Sequence, residues 1–476
     1  MIPINDSPIY KMLKEYYEKG PLPFHMPGHI LGRGLYEELK LAGSLDITEI
    51  PGSDCLHEPR GVIKEAQERA ALCFGADYSL FLVNGSTSGI HAMIHAAVKP
   101  EGKLILGRDC HISALNALAQ INGKPVFVLP EIDEEHQIPL GVTADSLEKV
   151  LKKNPDAQAI LITRPGYYGT ATQLSSISKL AKDHNIPLLV DEAHGAHFRF
   201  HEDFPKPAIT QGADLCVQSL HKTLPALTQT AILHGNKKGL IDKKIIERTV
   251  SMVQTTSPSY LLMASIDMAR SIMENKGREL YENLRHNISE FLIKLDKNTS
   301  VKSIKCDNGS FENDFSRIVL SFKSLGISGF YAEEILRSKF GIVAEMADLN
   351  NIVLIATPFH NSTDFDTLLM ALKFISNQFS TGKEKVKLPR WPNQLPERVI
   401  PLREALFEKV EEIPFMNALG RVSGVFITPY PPGIPLVTPG EIISKEVIDY
   451  VDILIRENCP VHGIHDQKIK VLKPHL

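Results

Sequence analysis

Ile186-Pro-Leu-Leu-Val190 runs directly into Asp191-Glu-Ala-His-Gly195, and further along the chain comes Val217-Gln-Ser-Leu-His-Lys-Thr223. Each begins as an apolar, strand-like stretch and ends in a polar cluster. An acid closing one buried strand, with Ser-x-His-Lys closing another, is the arrangement needed to hold pyridoxal 5'-phosphate. Lys222 would form the Schiff base, and Asp191 would keep the pyridine nitrogen protonated so that the ring withdraws electrons from the bond being broken. Taken singly, Lys222 reads as a solvated surface lysine and Asp191 as a helix N-cap. Together with their neighbours they read as one site.

Around these two stretches the chain alternates strand and helix from Glu58 onward. Strands are expected at Ser79 to Val83, Lys103 to Leu106, Val126 to Leu129, Ala159 to Thr163, Pro187 to Val190, Leu215 to Ser219 and Gln229 to Leu233, most with helical segments between them. Continuous apolar strands separated by helices predict a largely parallel sheet covered on both faces, with function at the carboxyl ends of its strands. Asn84-Gly85, Arg108 to His111, Arg164 to Gly169, Asp191 to His194 and Ser219 to Lys222 all occupy such ends.

Asn84-Gly-Ser-Thr-Ser-Gly89 joins a strand to a helix and offers backbone N–H groups with the hydroxyls of Ser86, Thr87 and Ser88. It reads as a phosphate cradle or as a plain capped turn. His111 follows the next strand, where a flat ring can stack on a pyridine. Ala193 is small enough to admit the ring's other face, and His194 is placed to reach the cofactor's phenolic oxygen or a substrate carboxylate. Ser219 and His221 precede the lysine and are expected to hold phosphate. Thr255, Thr256 and Ser257 form a second phosphate candidate, or an N-cap with Pro258 as the first helical residue. Lys222 or His221 would return a proton to the substrate Cα.

Composition sets the outer bounds. The 476 residues, 43% hydrophobic and 23% charged, suffice for two or three domains with a large core. A net charge of −4 and a pI near 6.5, with no basic block interleaved with aromatics, argue against nucleic acid or an anionic membrane as partner. The six cysteines are scattered without a Cys-x-x-Cys pair, which speaks against a disulfide framework and a metal site. A cytoplasmic enzyme acting on a small molecule is expected, with no signal peptide and no spanning segment.

The expected organisation is an N-terminal arm with active-site loops (1–57), a cofactor-binding large domain (58–275), a small α/β domain (276–380), a linker (381–396) and a C-terminal domain (397–476).

Several motifs together resemble one family. They are His25-Met-Pro-Gly-His29, Leu56-His57, Phe81-Leu-Val-Asn-Gly-Ser-Thr87, Arg108 to His111, Tyr167-Tyr-Gly169, Asp191 to His194, Ser219-x-His-Lys222, Thr255-Thr-Ser-Pro258 and Tyr430-Pro-Pro-Gly-Ile-Pro435 with Pro439-Gly-Glu441. In these the chain, from about residue 7 to 475, is similar to the shorter bacterial ornithine/lysine/arginine decarboxylases, a family of fold type I pyridoxal phosphate enzymes. The resemblance implies an α/β fold: an aminotransferase-like fold type I large domain with a mostly parallel sheet, a small α/β domain and a C-terminal α+β decarboxylase domain. It also implies a homodimer or higher homo-oligomer with active sites at the interface, where Thr255 to Ser257 would serve the neighbouring subunit's cofactor. The implied reaction is decarboxylation of arginine, lysine or ornithine, arginine being preferred, to an amine that feeds polyamine metabolism. An aminotransferase or another fold type I lyase would share the cofactor residues, and a non-catalytic regulatory relative is the remaining alternative.

A dibasic substrate needs an acid for its distal cation, for which Glu441 and Asp54 are the candidates. Two positions depart from the family pattern: Ile30 stands where a lysine is usual, and Thr163-Arg-Pro-Gly166 replaces the usual Pro-Thr. Arg164, if it faces the site, would hold a substrate carboxylate, or would disfavour a dibasic substrate unless an acid pairs with it.

Overall fold

The computed structural model describes residues 6–305, 309–379, 391–430, 433–457 and 459–473. Residues 381–390 of the expected linker, Pro431 and Pro432 of the proline-glycine loop, and Cys306 lie outside them. The protein is α/β, and by compactness the chain divides into two units, Met1–Ala97 with Ser178–Glu279 and Val98–Ile177 with Leu280–Leu476.

In the first unit Leu188–Asp191 pairs in parallel with Leu215–Ser219, so that Asp191 lies opposite Val217. Leu215–Ser219 then pairs antiparallel with Ala231–Gly235, which pairs antiparallel with Tyr78–Leu82. The expectation of a run of parallel strands with helical crossovers fails at this edge. Only residues 220 to 230 separate the two strands, with the single helical turn Leu220–Thr223, too short a connection for the crossover that parallel pairing requires. In the second unit Ala157–Thr163, Lys103–Gly107 and Lys124–Val128 are all parallel. The parallel strands are apolar almost throughout, as strands covered on both faces must be.

The helix Tyr260–Asn298 is continuous over 39 residues and runs straight across the domain boundary expected between 275 and 276. Gly277 stands inside it although glycine lowers helix propensity; a Cβ there would stand 3.0 Å from the Cβ of Phe200, so a larger residue would need one of the two to give way. After this helix the second unit carries an antiparallel four-stranded sheet ordered Lys302–Ile304, Arg317–Ser321, Asn351–Ile355, Met346–Ala347. Near the C-terminus an antiparallel sheet of Val410–Pro414, Lys468–Leu472 and Ile464–His465 accompanies the helix Lys445–Arg456. That segment has its own core, with Phe415, Ile427, Val437, Val447, Val451 and Val471 all buried.

A polar ladder crosses the first unit's sheet. Ser79, His234, Gln218 and Glu192, all at most 4% exposed, are joined at 2.7, 3.1 and 2.7 Å. The Gln218 amide donates to Glu192, so its oxygen must accept from His234 Nε2, and His234 Nδ1 must accept from the Ser79 hydroxyl. Burial alone lowers the His234 pKa to about 3. An unfolded histidine titrates near ~6.5, so between that pH and about 3 the unfolded chain binds a proton that the native ring refuses. Stability is therefore lost as pH falls through this window, by about 1.4 kcal/mol per pH unit from this residue. His234→Gln should have a lower melting temperature at pH 7.5 but a shallower decline between pH 7.5 and 5.5. Equal slopes for the two proteins would remove His234 from the account.

Candidate active site

The in-register parallel pair sets two turns side by side. Asp191, 4% exposed, ends its strand and accepts the Ala193 N–H at 3.1 Å. Across the pair, Ser219 N–H donates to the Ala193 carbonyl at 3.3 Å, lacing the two turns together. The chain then makes the turn Leu220–Thr223, held by Leu220 N–H on the Thr230 carbonyl at 3.1 Å. His221 Nδ1 donates to the same carbonyl at 2.9 Å. Burial, followed by the Lys222 charge, holds the His221 pKa below the usual histidine value, against the opposing pull of the Thr230 bond. Lys222 Nζ lies 2.9 Å from His194 Nε2. The Ser219 hydroxyl is fully buried and meets no hydrogen-bond partner among the described residues.

The helix Gly85–Ala97 presents its N-terminus in the same unit. Gly85 has a φ of +71° and donates to the Gln229 carbonyl at 2.8 Å, a conformation that favours glycine. At Gly89 a Cβ would come within 2.5 Å of Val217 and 2.7 Å of Leu82, so glycine brings this helix close onto the strands that end at Leu82 and Ser219. Of the three expected phosphate hydroxyls, Ser88 is turned inward onto the Gly85 carbonyl at 2.8 Å. Ser86 is half-buried and Thr87 exposed on the first turn.

Thr255 is half-buried and tied down on both sides, its N–H donating to Asn84 Oδ1 at 3.1 Å and its carbonyl accepting from His57 Nε2 at 2.8 Å. Thr256 and Ser257 are exposed. The helix that follows starts at Tyr260, where Ser259 Oγ accepts the Leu262 N–H at 3.4 Å. Ser259 is thus the capping residue, and Pro258 lies outside the helix rather than at its first position. The sequence reading placed Asn84 at a strand end but gave its side chain no task, and it missed Thr230 because a backbone carbonyl has no residue-type signal.

In the second unit His111 caps the helix Ile112–Gln120. Its Nδ1 accepts from the Ser113 N–H at 3.2 Å and from the Ser113 hydroxyl at 2.8 Å, which orients an exposed ring.

The three substrate candidates have other tasks. Arg164 does not face a crevice: it is fully buried, donates from Nε to the Thr172 carbonyl at 2.7 Å and pairs with Glu312 at 3.2 Å. The acid whose presence the sequence left open is Glu312. Asp54 gathers the N–H groups of Cys55, Arg60, Gly61, Ile63 and Lys64 at 2.8 to 3.3 Å, and so caps the helix Val62–Phe74 from outside it. Partial burial raises the Asp54 pKa, but these backbone donors outweigh it and hold the carboxyl below its ordinary value. Glu441, 2% exposed, meets Arg108 through two bonds of 2.9 and 2.7 Å, Arg398 at 3.2 Å and the Thr438 N–H at 2.7 Å. Its oxygens are committed to its own chain.

Residues 7–313 match the family model "Orn/Lys/Arg decarboxylase, major domain", and residues 393–466 match "Orn/Lys/Arg decarboxylase, C-terminal domain". The chain is 37% identical to arginine decarboxylase of Bacillus subtilis over 98% of both chains, and 36% identical to arginine decarboxylase of Bacillus anthracis over 98% of this chain and 97% of that one. The fold is that of the Francisella novicida lysine decarboxylase LdcF, with a TM-score of 0.85 at 19% identity, covering 98% of this chain and 81% of the other. The strand-end acid, the Ser-x-His-Lys turn and these full-length matches lead to one conclusion: the chain belongs to the Orn/Lys/Arg decarboxylase family and is an amino-acid decarboxylase.

Proposed function

We propose that the enzyme decarboxylates a basic amino acid, arginine in first place, using pyridoxal 5'-phosphate carried on Lys222, and that its amine product enters polyamine metabolism. The observation that carries this reading is the pairing of Asp191 with the Ser219–Lys222 turn at the ends of adjacent parallel strands. The residues fit the cofactor. A buried Ser219 hydroxyl without a partner lies on the lysine's own turn, and a helix N-terminus with no acidic residue in its first turn is available for phosphate. Arginine is favoured because relatives at 35% to 37% identity are named arginine decarboxylase, while those named lysine decarboxylase lie at 22% to 24%.

When bound, pyridoxal phosphate supplies a covalent handle for the substrate amine and an electron-poor ring that accepts the electron pair left as CO2 departs. The chain's residues do the rest. Asp191, buried and acceptor-only when ionised, holds a proton on the pyridine nitrogen. His111 offers a ring oriented by Ser113, Ala193 leaves room for the opposite face, and Ser86, Thr87 and Ser219 join the helix N–H groups on the phosphate. Ser88 contributes through its N–H alone. His194, within hydrogen-bond reach of Lys222, orients the amine and exchanges a proton with it. The amine of Lys222 returns the proton to Cα. His221, with its depressed pKa and its Nδ1 donating to Thr230, has a bare lone pair on Nε2 when neutral and is assigned to positioning the lysine's turn rather than to the phosphate.

The active assembly is a homodimer or larger homo-oligomer, with Thr255 to Ser257 facing the partner's cofactor. Leu22, Phe24, Met26, Tyr36, Leu39 and Leu41 are exposed, Phe24 at 95%, a density of apolar surface that a second copy would cover. Among the described residues no helix is long and apolar enough to cross a membrane, and none of Cys55, Cys73, Cys110, Cys216 and Cys459 is in a disulfide. A reducing cytoplasm is the proposed setting.

Wild-type protein supplied with the cofactor should turn yellow and, after borohydride, carry a fixed adduct on Lys222; Lys222→Ala should carry none. An adduct on another lysine, or none in wild type, defeats the cofactor reading.

Asp191→Asn should retain the cofactor while kcat falls on the order of a hundredfold or more, because an amide cannot hold the ring proton. Near-normal turnover would reduce Asp191 to a turn residue.

Arginine, lysine and ornithine offered in parallel should all be judged by CO2 and amine release, with the highest kcat/KM for arginine. Formation of a keto acid in place of CO2 would mean an aminotransferase.

A further inference from the structure

We infer that Arg398, Arg403 and the 435–441 loop form a positioning device for the helix that His111 begins, and hence for the ring stacked on the cofactor; this rests on the role just proposed for His111. Two contacts, at opposite ends of that helix, carry the inference.

The first lies three residues before His111. Arg108, 4% exposed, donates from Nε to the Pro435 carbonyl at 3.0 Å and from one terminal nitrogen to the Leu436 carbonyl at 2.9 Å, and it forks onto Glu441 at 2.9 and 2.7 Å. Its guanidinium carbon lies 4.3 Å from the centre of the Phe127 ring, and its own N–H is bonded to the Val128 carbonyl at 2.8 Å. A planar fork with this many fixed acceptors has one orientation, which a lysine cannot reproduce. The Glu441 carboxylate is held in turn by Arg398 and the Thr438 N–H. The turn from the strand Lys103–Gly107 into His111 is therefore anchored to the 435–441 loop.

The second contact lies at the far end. Arg403 donates to the carbonyls of Ala119 and Gln120 at 2.9 and 3.2 Å. These carbonyls close the last turn, that of Ala119 also accepting the Asn122 N–H at 3.3 Å, and a cation there complements the helix dipole. One short helix, Ile112–Gln120, is thus gripped before its first turn and at its last by residues more than 280 positions away in sequence. The helix's own contribution at its start is the His111 to Ser113 cap.

The test uses the full-length protein with pyridoxal phosphate, in the variants Arg108→Lys, Glu441→Gln, Arg403→Ala and His111→Ala. Arg421→Gln serves as control: Arg421 bonds Glu411 and the Leu472 carbonyl within the C-terminal segment, so its loss perturbs that segment without reaching the helix. The readouts are the dissociation constant of the cofactor from apo-protein, the visible circular dichroism of the bound cofactor, kcat and KM separately, and the melting temperature. Arg108→Lys and Glu441→Gln should weaken cofactor binding about tenfold or more and reduce the visible dichroic band, with kcat falling more than KM rises. Arg403→Ala should do the same to a smaller extent, and Arg421→Gln should lower the melting temperature with the band and affinity intact. Adding Arg403→Ala to His111→Ala should change the affinity and band no further, since the group being positioned is already gone.

Full additivity in that double variant would overturn the inference. So would variants that keep the wild-type band and affinity while melting early like the control. If Glu441→Gln fails to fold, Arg108→Lys and Arg403→Ala carry the same comparison. Failure of the underlying reading looks different, because wild-type protein would then form no borohydride-fixed adduct at all.

Discussion

The proposed chemistry hangs on one backbone interaction, the parallel pairing of Leu188–Asp191 with Leu215–Ser219. Parallel register carries both strands to the same end of the sheet. A one-residue slip would turn every side chain of one strand to the opposite face. Asp191 opposite Val217 is the register that puts the acid's turn beside the lysine's turn, and the Ser219 to Ala193 bond continues the pairing beyond the strands. The close approach of the helix Gly85–Ala97, which Gly89 permits against Val217 and Leu82, depends on the same strand being where it is.

Buried carboxylates show how the rest is secured. Removing an ionised acid from water is costly unless its oxygens are met by donors, and each buried or half-buried acid here is met differently. Asp54 collects backbone N–H groups, Glu441 is shared between two arginines, and Glu192 accepts from the Ala208 N–H and from Gln218 and Cys216. Asp348, whose carboxyl burial pushes upward against the pull of its donors, takes the Tyr168 hydroxyl at 2.7 Å and the N–H groups of Asn350 and Asn351 at 2.8 Å. An acid so engaged is not available to a substrate.

That contrast explains what could be read from the sequence. Apolar strand runs and the polar clusters closing them are local patterns, so the sheet-forming segments and the Asp191 and Lys222 turns were legible. The antiparallel placement of Ala231–Gly235 was not, because its apolar run looks like that of a parallel strand and only the short connection gives it away. Arg164, Asp54 and Glu441 looked like substrate contacts because each is a charged residue in a promising loop. Their partners set their tasks, and Glu312 and Arg108 stand 148 and 333 residues away from Arg164 and Glu441.

The ladder from Ser79 to Glu192 has a direction. Serine gives its hydrogen to histidine, histidine to glutamine and glutamine to the carboxylate, so every donor already faces the same way along the row. Reversing any one link would set two donors or two lone pairs against each other, and the whole row would have to turn over together. A row with a single allowed arrangement of hydrogens neither stores a proton nor passes one on. The carboxylate next to Asp191 thereby sits at the accepting end of a row whose hydrogens can take only one order.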